Sequence, residues 1–138
     1  MATTNATISI SSDIMSYPTN INKTMEMHKL GSEVGLDETS GLRTKKFNAE
    51  TAVVVIEQDE FTDTKASKVY MRNTGSSSTE FFYVAKHASA AAVDTAAVTI
   101  GKLFGGDWML IPYLADVNIT VAPSTTNEMT LEFMVFVE

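Results

Sequence analysis

Residues 100–113 read Ile-Gly-Lys-Leu-Phe-Gly-Gly-Asp-Trp-Met-Leu-Ile-Pro-Tyr and contain the only tryptophan of the chain within a dense run of large apolar side chains. This stretch predicts a hairpin in which one strand ends at Phe104 and the next begins at Trp108. The two glycines between them supply the positive φ that a tight turn needs. A large aromatic side chain beside such a turn usually fills the end of a core. The residues assigned to this core and turn motif are Gly105, Gly106, Asp107, Trp108 and Pro112.

Apolar and polar residues alternate with period two on both sides of that stretch, which is the pattern of strands with one covered face. The β-branched run at 51–57 is the clearest example. The spacing of the runs at 67–73 and 80–86 predicts a second hairpin with a longer tip. Further strands are expected at 7–11, 22–30 (where a short helix is the alternative), 42–48, 97–104, 116–121 and 129–137. Eight to ten short strands predict an all-β fold, and for this chain length an antiparallel β-sandwich with a jelly-roll-like form is expected.

The chain has 138 residues and a mass of 15.0 kDa, which fits one domain with a single core. The first residues are small and polar, so we expect a flexible N-terminal arm at 1–7 and a single β-sandwich domain at 8–138. An arm of this kind either stays free or becomes ordered on a partner. The candidates for protein contact in the arm are Thr3, Thr4 and Asn5. The N-terminus lacks the pattern of a secretory signal.

The composition excludes several classes of function. The chain contains no cysteine, which excludes disulfides, a thiol nucleophile and cysteine-ligated metal sites. Its formal net charge of −7 argues against broad binding to nucleic-acid phosphates. One basic cluster stands out, and it consists of Arg43, Lys45 and Lys46. This cluster is a candidate contact for an acidic partner, although a basic strand more often forms a solvated sheet edge that discourages pairing with other strands.

No motif of the sequence indicates catalytic residues, a metal site or a bound cofactor. His28 and His87 lie far apart and lack the spacing of metal ligands, so polar positions at strand ends are the simpler interpretation. Trp108 and Tyr113 are aromatic residues of the kind that stack on sugar rings, but a role in the core is favoured for both. The sequence therefore predicts a protein that binds and assembles and that is not an enzyme.

Two motifs resemble those of a known family. They are Lys-Val-Tyr-Met-Arg-Asn-Thr at 68–74 and Gly-Lys-Leu-Phe-Gly-Gly-Asp-Trp-Met-Leu-Ile-Pro-Tyr at 101–113, and an alternating strand with a closing Glu-Phe-Met-Val-Phe follows them. Over roughly residues 65–138 the chain resembles small virion structural proteins of tailed bacteriophages, including those of cyanophages. Within that group it is similar in kind to capsid decoration proteins, also called cement proteins. Such proteins are compact β-sandwiches or jelly rolls, often trimeric, and the family has no catalytic residues.

The resemblance implies a non-enzymatic bacteriophage protein that binds and stabilises the lattice of the major capsid protein as a homo-oligomer, expected to be a homotrimer. Its location would be the capsid exterior of the virion, after assembly in the host cytoplasm. The implied partners are the major capsid protein and copies of itself, without nucleic acid, membrane or small-molecule substrate. The alternative is a tail, neck or fibre component that binds another virion protein, or a host glycan through Trp108 or Tyr113. An enzyme would require His28 and His87 to converge with a carboxylate.

Overall fold

The structure is a computed structural model that describes residues 3–14, 18–32, 35–62, 65–86 and 98–138. These residues form eleven strands and no helix, which confirms the all-β prediction. No helix able to cross a membrane occurs in the described ranges. The strands are β1 Thr4–Ser12, β2 Thr19–Met27, β3 Glu38–Thr39, β4 Arg43–Phe47, β5 Val53–Ile56, β6 Ser67–Asn73, β7 Phe81–Lys86, β8 Thr99–Phe104, β9 Trp108–Tyr113, β10 Ile119–Pro123 and β11 Met129–Val137.

The chain divides into two compact units, the first made of residues 1–37 with residue 138 and the second of residues 38–137. In the first unit, β1 and β2 form a two-stranded antiparallel sheet whose nine residue pairs run without interruption. Thr4 already pairs with Met27. The expected boundary between a flexible arm and a folded domain, after residue 7, therefore falls inside β1.

The second unit contains two antiparallel sheets. The five-strand sheet has the order β3-β11-β6-β9, with β4 also paired to β11. The four-strand sheet has the order β5-β10-β7-β8. The period-two pattern of the sequence is realised most fully in β11, where alternate residues from Met129 to Val137 are buried and those between them are half-buried. Each sheet thus has one face that is apolar and covered, as the alternation predicted.

The core of this unit lies between the two sheets. Val69 and Met71 of the five-strand sheet and Phe82 and Val84 of the four-strand sheet are fully buried members of one apolar cluster. Phe47 packs edge-on against Phe82, with 5.2 Å between the ring centroids. Burial of each such side chain contributes about 1.5–3 kcal/mol to folding. Two sheets joined through their apolar faces are consistent with a β-sandwich.

The two predicted hairpins are wrong, because in neither case do the two successive strands pair with each other. The positions at which these strands were predicted to end before each turn and to begin after it are right. β8 pairs with β7 and β9 pairs with β6, so residues 105–107 carry the chain from one sheet to the other. In the same way β6 and β7 belong to different sheets. A turn signal fixes a local reversal of the chain, whereas packing of the apolar faces decides which strand becomes the hydrogen-bonded neighbour.

Candidate functional site

The turn after β8 is held by its own aspartate. Asp107 donates its backbone N–H to the carbonyl of Phe104 at 2.9 Å, and its Oδ2 accepts the backbone N–H of Phe104, also at 2.9 Å. Gly106 has a φ of +87°, the left-handed region in which a side chain is strained. The chain therefore turns at these residues with help from Asp107, but Gly106 is the one glycine of the pair with a positive φ.

Asn73, at the end of β6, ties this turn to the neighbouring loop. Its side chain is 1% exposed, donates from Nδ2 to the carbonyl of Leu103 at 3.0 Å, and accepts the backbone N–H of Gly75 on Oδ1 at 3.0 Å. Its backbone N–H and carbonyl bond to Asp107 and Gly106, each at 3.0 Å. Sequence reasoning took Asn73 only as a turn signal, because nothing local shows that a polar side chain will be enclosed by two sheets.

Gly105 is the point of closest backbone approach at this corner. Its N–H donates to the carbonyl of Ser77 at 2.9 Å. A Cβ at this position would lie 2.4 Å from the backbone nitrogen of Ser77 and 2.7 Å from the carbonyl carbon of Ser76. Only glycine fits here without movement of one of the two loops. The Gly105-Gly106-Asp107 part of the motif is thus an architectural corner.

A polar groove of about 350 Å³ opens beside this corner. Its lining includes the carboxylates of Glu80 and Glu128, but each already has a partner. Glu128 accepts a salt bridge from Lys46 at 2.9 Å, and Glu80 accepts a hydrogen bond from Asn127. No group of three or more His, Cys, Asp or Glu side chains able to hold a metal ion occurs in the described ranges. The remaining lining residues are Asn73, Thr74, Gly75, Ser76, Ser77, Gly105, Met129 and Thr130.

The face of the five-strand sheet that points away from the core is unusually apolar, and we call it the outer face. Register and alternation place three rows of side chains on it, and its apolar members are exposed or half-buried. The rows are Trp108-Arg72-Glu132, Leu110-Tyr70-Met134 and Pro112-Lys68-Phe136. Tyr70 donates its hydroxyl to Oε1 of Glu132 at 2.9 Å. Burial, and then this hydrogen bond, raise the pKa of Tyr70 above its ordinary value.

The expectation that Trp108 fills the end of the core is wrong. Trp108 is 50% exposed and Pro112 is exposed, because β9 turns Met109, Ile111 and Tyr113 toward the core instead. The whole motif therefore serves two purposes. Its glycines and aspartate build the corner, while its tryptophan and proline contribute to the outer face.

Tyr113 is unsuited to stacking on a sugar ring. It is only 6% exposed, and its hydroxyl donates to the carbonyl of Val117 at 2.9 Å. Burial, together with the nearby carboxylates of Glu60, Asp116 and Asp59, raises its pKa to about 12. Of the two aromatic residues considered for glycan contact, Trp108 alone presents its side chain to solvent.

The basic cluster lies on β4, which has β11 as its partner among the described strands and so forms a sheet edge. Arg43 forms a salt bridge with Glu60, and Lys46 bridges Glu128. The ammonium of Lys45 lies 6.0 Å from the ring centroid of Phe47. This placement favours the interpretation of a solvated, charged edge.

The outward face of the four-strand sheet carries a smaller aromatic cluster that the sequence did not indicate. The ring of Phe81 contacts those of Tyr83 and Phe104, with centroid distances of 4.9 and 5.1 Å. The ammonium of Lys102 lies 4.4 Å from the Phe81 centroid and 5.1 Å from that of Tyr83. Here a cation covers the rings, so this sheet offers less open apolar surface than the outer face.

The other residues singled out from the sequence lie elsewhere. Thr3 precedes β1 and is exposed, while Thr4 and Asn5 form pairs with Met27 and Glu26 of β2. His28 follows β2 and is exposed. His87 lies outside the described residues.

No family model and no curated protein matches this chain. The two motifs that carry the phage resemblance are nonetheless close together in the structure, since 68–74 contains most of β6 and 101–113 contains β9, and these strands are paired.

Proposed function

We propose that this chain is a non-enzymatic virion structural protein, a capsid decoration protein that binds the major capsid protein lattice as a homo-oligomer. The observation that carries the proposal is the outer face of the five-strand sheet. Six apolar side chains lie there on three adjacent strands: Tyr70, Trp108, Leu110, Pro112, Met134 and Phe136. Contiguous apolar surface of this kind is uncommon on a protein that works alone, and it marks contact sites for other proteins.

The composition of the outer face describes the partner that fits it. Lys68 and Arg72 lie in the central strand, and Glu132 accepts a hydrogen bond from Tyr70. A partner surface with apolar side chains would complement the six apolar side chains of this face. Trp108 and Arg72 are neighbours across β9 and β6, and tryptophan and arginine are the residue types that most often dominate binding energy.

The proposal includes a jelly-roll topology. Strands pair as β4 with β11, β5 with β10, β6 with β9 and β7 with β8. We infer from this pairing one long antiparallel ribbon that is rolled up so that its strands alternate between the two sheets, except that β7 and β8 lie in the same sheet. Eight strands in two such sheets occur in viral capsid proteins and in lectins. The topology supports a structural role without deciding it, since one fold serves many functions.

The direct test is occupancy on particles. Capsids that lack the protein would be incubated with the wild-type chain, with Trp108→Ala, or with the matched control Ile100→Ala, whose side chain is 44% exposed on the other sheet. We expect Trp108→Ala to reduce the affinity about tenfold or more, because a tryptophan that dominates an interface typically contributes about 2 kcal/mol or more. Ile100→Ala should bind as the wild type does. Equal binding of all three proteins would contradict docking through the outer face.

A second candidate is a tail, neck or fibre component that contacts a host glycan, and the exposure of Trp108 is what favours it. Because Trp108 is the only tryptophan, its fluorescence reports this contact without interference. A shift on titration with host glycans, together with label on the tail in electron micrographs, would select this candidate. Label on the capsid exterior without a fluorescence shift would select decoration. The homotrimer expected from the resemblance, and assembly in the host cytoplasm, stay predictions within this proposal.

A further inference from the structure

Strand β1 has an edge without the usual protection against pairing. The described residues form a two-stranded sheet in which β2 occupies one edge of β1. The nine residues Thr-Asn-Ala-Thr-Ile-Ser-Ile-Ser-Ser contain no charge and no proline, and the register with β2 shows no bulge. Charges, prolines and bulges are the features by which proteins keep edge strands from pairing. Strand β2, in contrast, carries Lys23 and Glu26.

The sheet of β1 and β2 also has two chemically different faces. Register places Ala6, Ile8 and Ile10 of β1 on the same face as Ile21, Met25 and Met27 of β2, with Lys23 opposite Ile8. Met27 is buried, whereas Ile8, Ile10, Ile21 and Met25 are between 37% and 45% exposed. The opposite face is polar throughout, with residues Asn5, Thr7, Ser9, Ser11, Asn20, Asn22, Thr24 and Glu26. A two-stranded sheet is marginally stable by itself, and additional strands with a continuous apolar face stabilise it.

We propose that β1 pairs antiparallel with β1 of a second copy, which creates a four-stranded sheet with the order β2-β1-β1-β2 across a twofold axis. The symmetry of the strand points to this occupant. β1 runs from Thr4 to Ser12, so full-length antiparallel overlap with its own copy places Ile8 opposite Ile8. Ala6 then lies opposite Ile10, and Thr7 lies opposite Ser9. A shift of the register by one residue would place the polar side chains of one copy on the same face as the apolar side chains of the other. A sheet with one apolar and one polar face disfavours such a register.

This twofold pairing keeps the apolar side chains of both copies on one face, where Lys23, Thr4, Ser12 and Thr19 also lie, and it leaves the other face polar throughout. Identical strands related by a twofold axis form a self-complementary contact, and the absence of charge on β1 leaves no repulsion across it. The inference rests on the proposed self-association only in the statement that copies associate, and it replaces the homotrimer that the resemblance implies with a twofold dimer. The outer face of the five-strand sheet remains the surface for the capsid partner.

The test is the mass in solution, measured by sedimentation equilibrium on the full chain without particles. The wild type should reach twice the 15.0 kDa of one chain as its concentration rises. Ile8→Lys places two like charges directly opposite one another at the twofold axis and should raise the dissociation constant about tenfold or more. Ile8→Glu should weaken the dimer less, because Lys23 lies opposite position 8 on β2 and compensates part of the added charge. A one-to-one mixture of the two variants should restore the dimer, because the opposing charges then attract.

Ile21→Lys is the matched control, since it makes the same substitution on the same face but on β2, away from the joint. It should weaken the dimer less than Ile8→Lys does. Circular dichroism of each variant shows that it has folded. A wild type that stays at 15.0 kDa, a trimer that Ile8→Lys leaves unchanged, or a mixture that fails to restore the dimer would each overturn the inference. The sedimentation experiment contains no capsid particles, so its result does not depend on whether the protein binds capsids.

Discussion

The corner between β8 and β9 contains or adjoins three glycines. They differ in whether a side chain would clash with neighbouring backbone and in whether φ is positive. A Cβ on Gly105 would lie within 2.4–2.7 Å of the backbone of Ser76 and Ser77. A Cβ on Gly106 would meet nothing within 4 Å, but the residue has a φ of +87°. A Cβ on Gly101, in β8, would also meet nothing within 4 Å, and no positive φ applies there.

The expected free energies of unfolding follow from these differences. Gly105→Ala should cost about 3 kcal/mol, because forcing a methyl group into packed backbone costs about 1–3 kcal/mol and the hydrogen bond to Ser77 contributes about 1 kcal/mol more. Gly106→Ala should cost about 1 kcal/mol, since the left-handed conformation is strained for alanine. Gly101→Ala should be neutral, or stabilise by about 0.5 kcal/mol, because alanine restricts the unfolded chain.

The assay is equilibrium unfolding in urea, followed by circular dichroism and by the fluorescence of Trp108. The three variants should rank Gly105→Ala, Gly106→Ala, Gly101→Ala from most to least destabilised, with similar dependence on urea concentration. A Gly105→Ala variant within about 0.5 kcal/mol of Gly101→Ala, the range of ordinary surface substitutions, would refute the close approach of the two loops.

Four other substitutions, one of them a control, test the structure. Asn73→Ala should lower the free energy of unfolding by about 2–4 kcal/mol, because it removes the side-chain donor to the carbonyl of Leu103. The control is Thr74→Ala at the exposed neighbouring position, which should lower it by under about 1 kcal/mol. Unfolding in urea compares the two variants. Trp108→Ala should lower the free energy of unfolding by only about 1 kcal/mol, since half of the side chain is already in water. A loss above about 3 kcal/mol would show that Trp108 is part of the core after all. The pKa of Tyr113 is raised to about 12 from 10.0, so its neutral form stabilises the fold; this contribution is complete below pH 10 and is lost as the pH rises toward 12. Tyr113→Phe should make the free energy of unfolding depend less on pH in that interval, and an unchanged dependence would show that Tyr113 does not titrate with unfolding.

The strands were the most predictable part of the structure, because period-two alternation records which side of a strand is covered. The predicted runs at 67–73 and 129–137 coincide with β6 and β11. The two-residue strand β3 was missed, since a short strand within a glycine-rich segment has no room for a pattern. β1 was predicted too short, because its first residues are small and polar and they gain strand structure only from pairing with β2.

Pairing and exposure were harder to predict than the strands. Turn residues at 105–106 showed that the chain reverses, but not that it leaves one sheet for the other. The wrong expectation for Trp108 followed from this error. Whether a tryptophan at the start of β9 faces the core or solvent depends on the strand that β9 joins. Asn73 carried no signal beyond a turn, because its enclosure depends on contacts with Leu103 and Asp107 that are distant in sequence.

We propose that the outer face of the five-strand sheet docks this protein onto a capsid lattice. The most direct measurement is electron microscopy of particles incubated with the wild type and with Trp108→Ala, at equal concentrations and after both are shown to be folded. Docking through the outer face predicts regular density over the capsid exterior with the wild type, and the loss of most of that density with Trp108→Ala. Density confined to the tail, or full occupancy by Trp108→Ala, would contradict it.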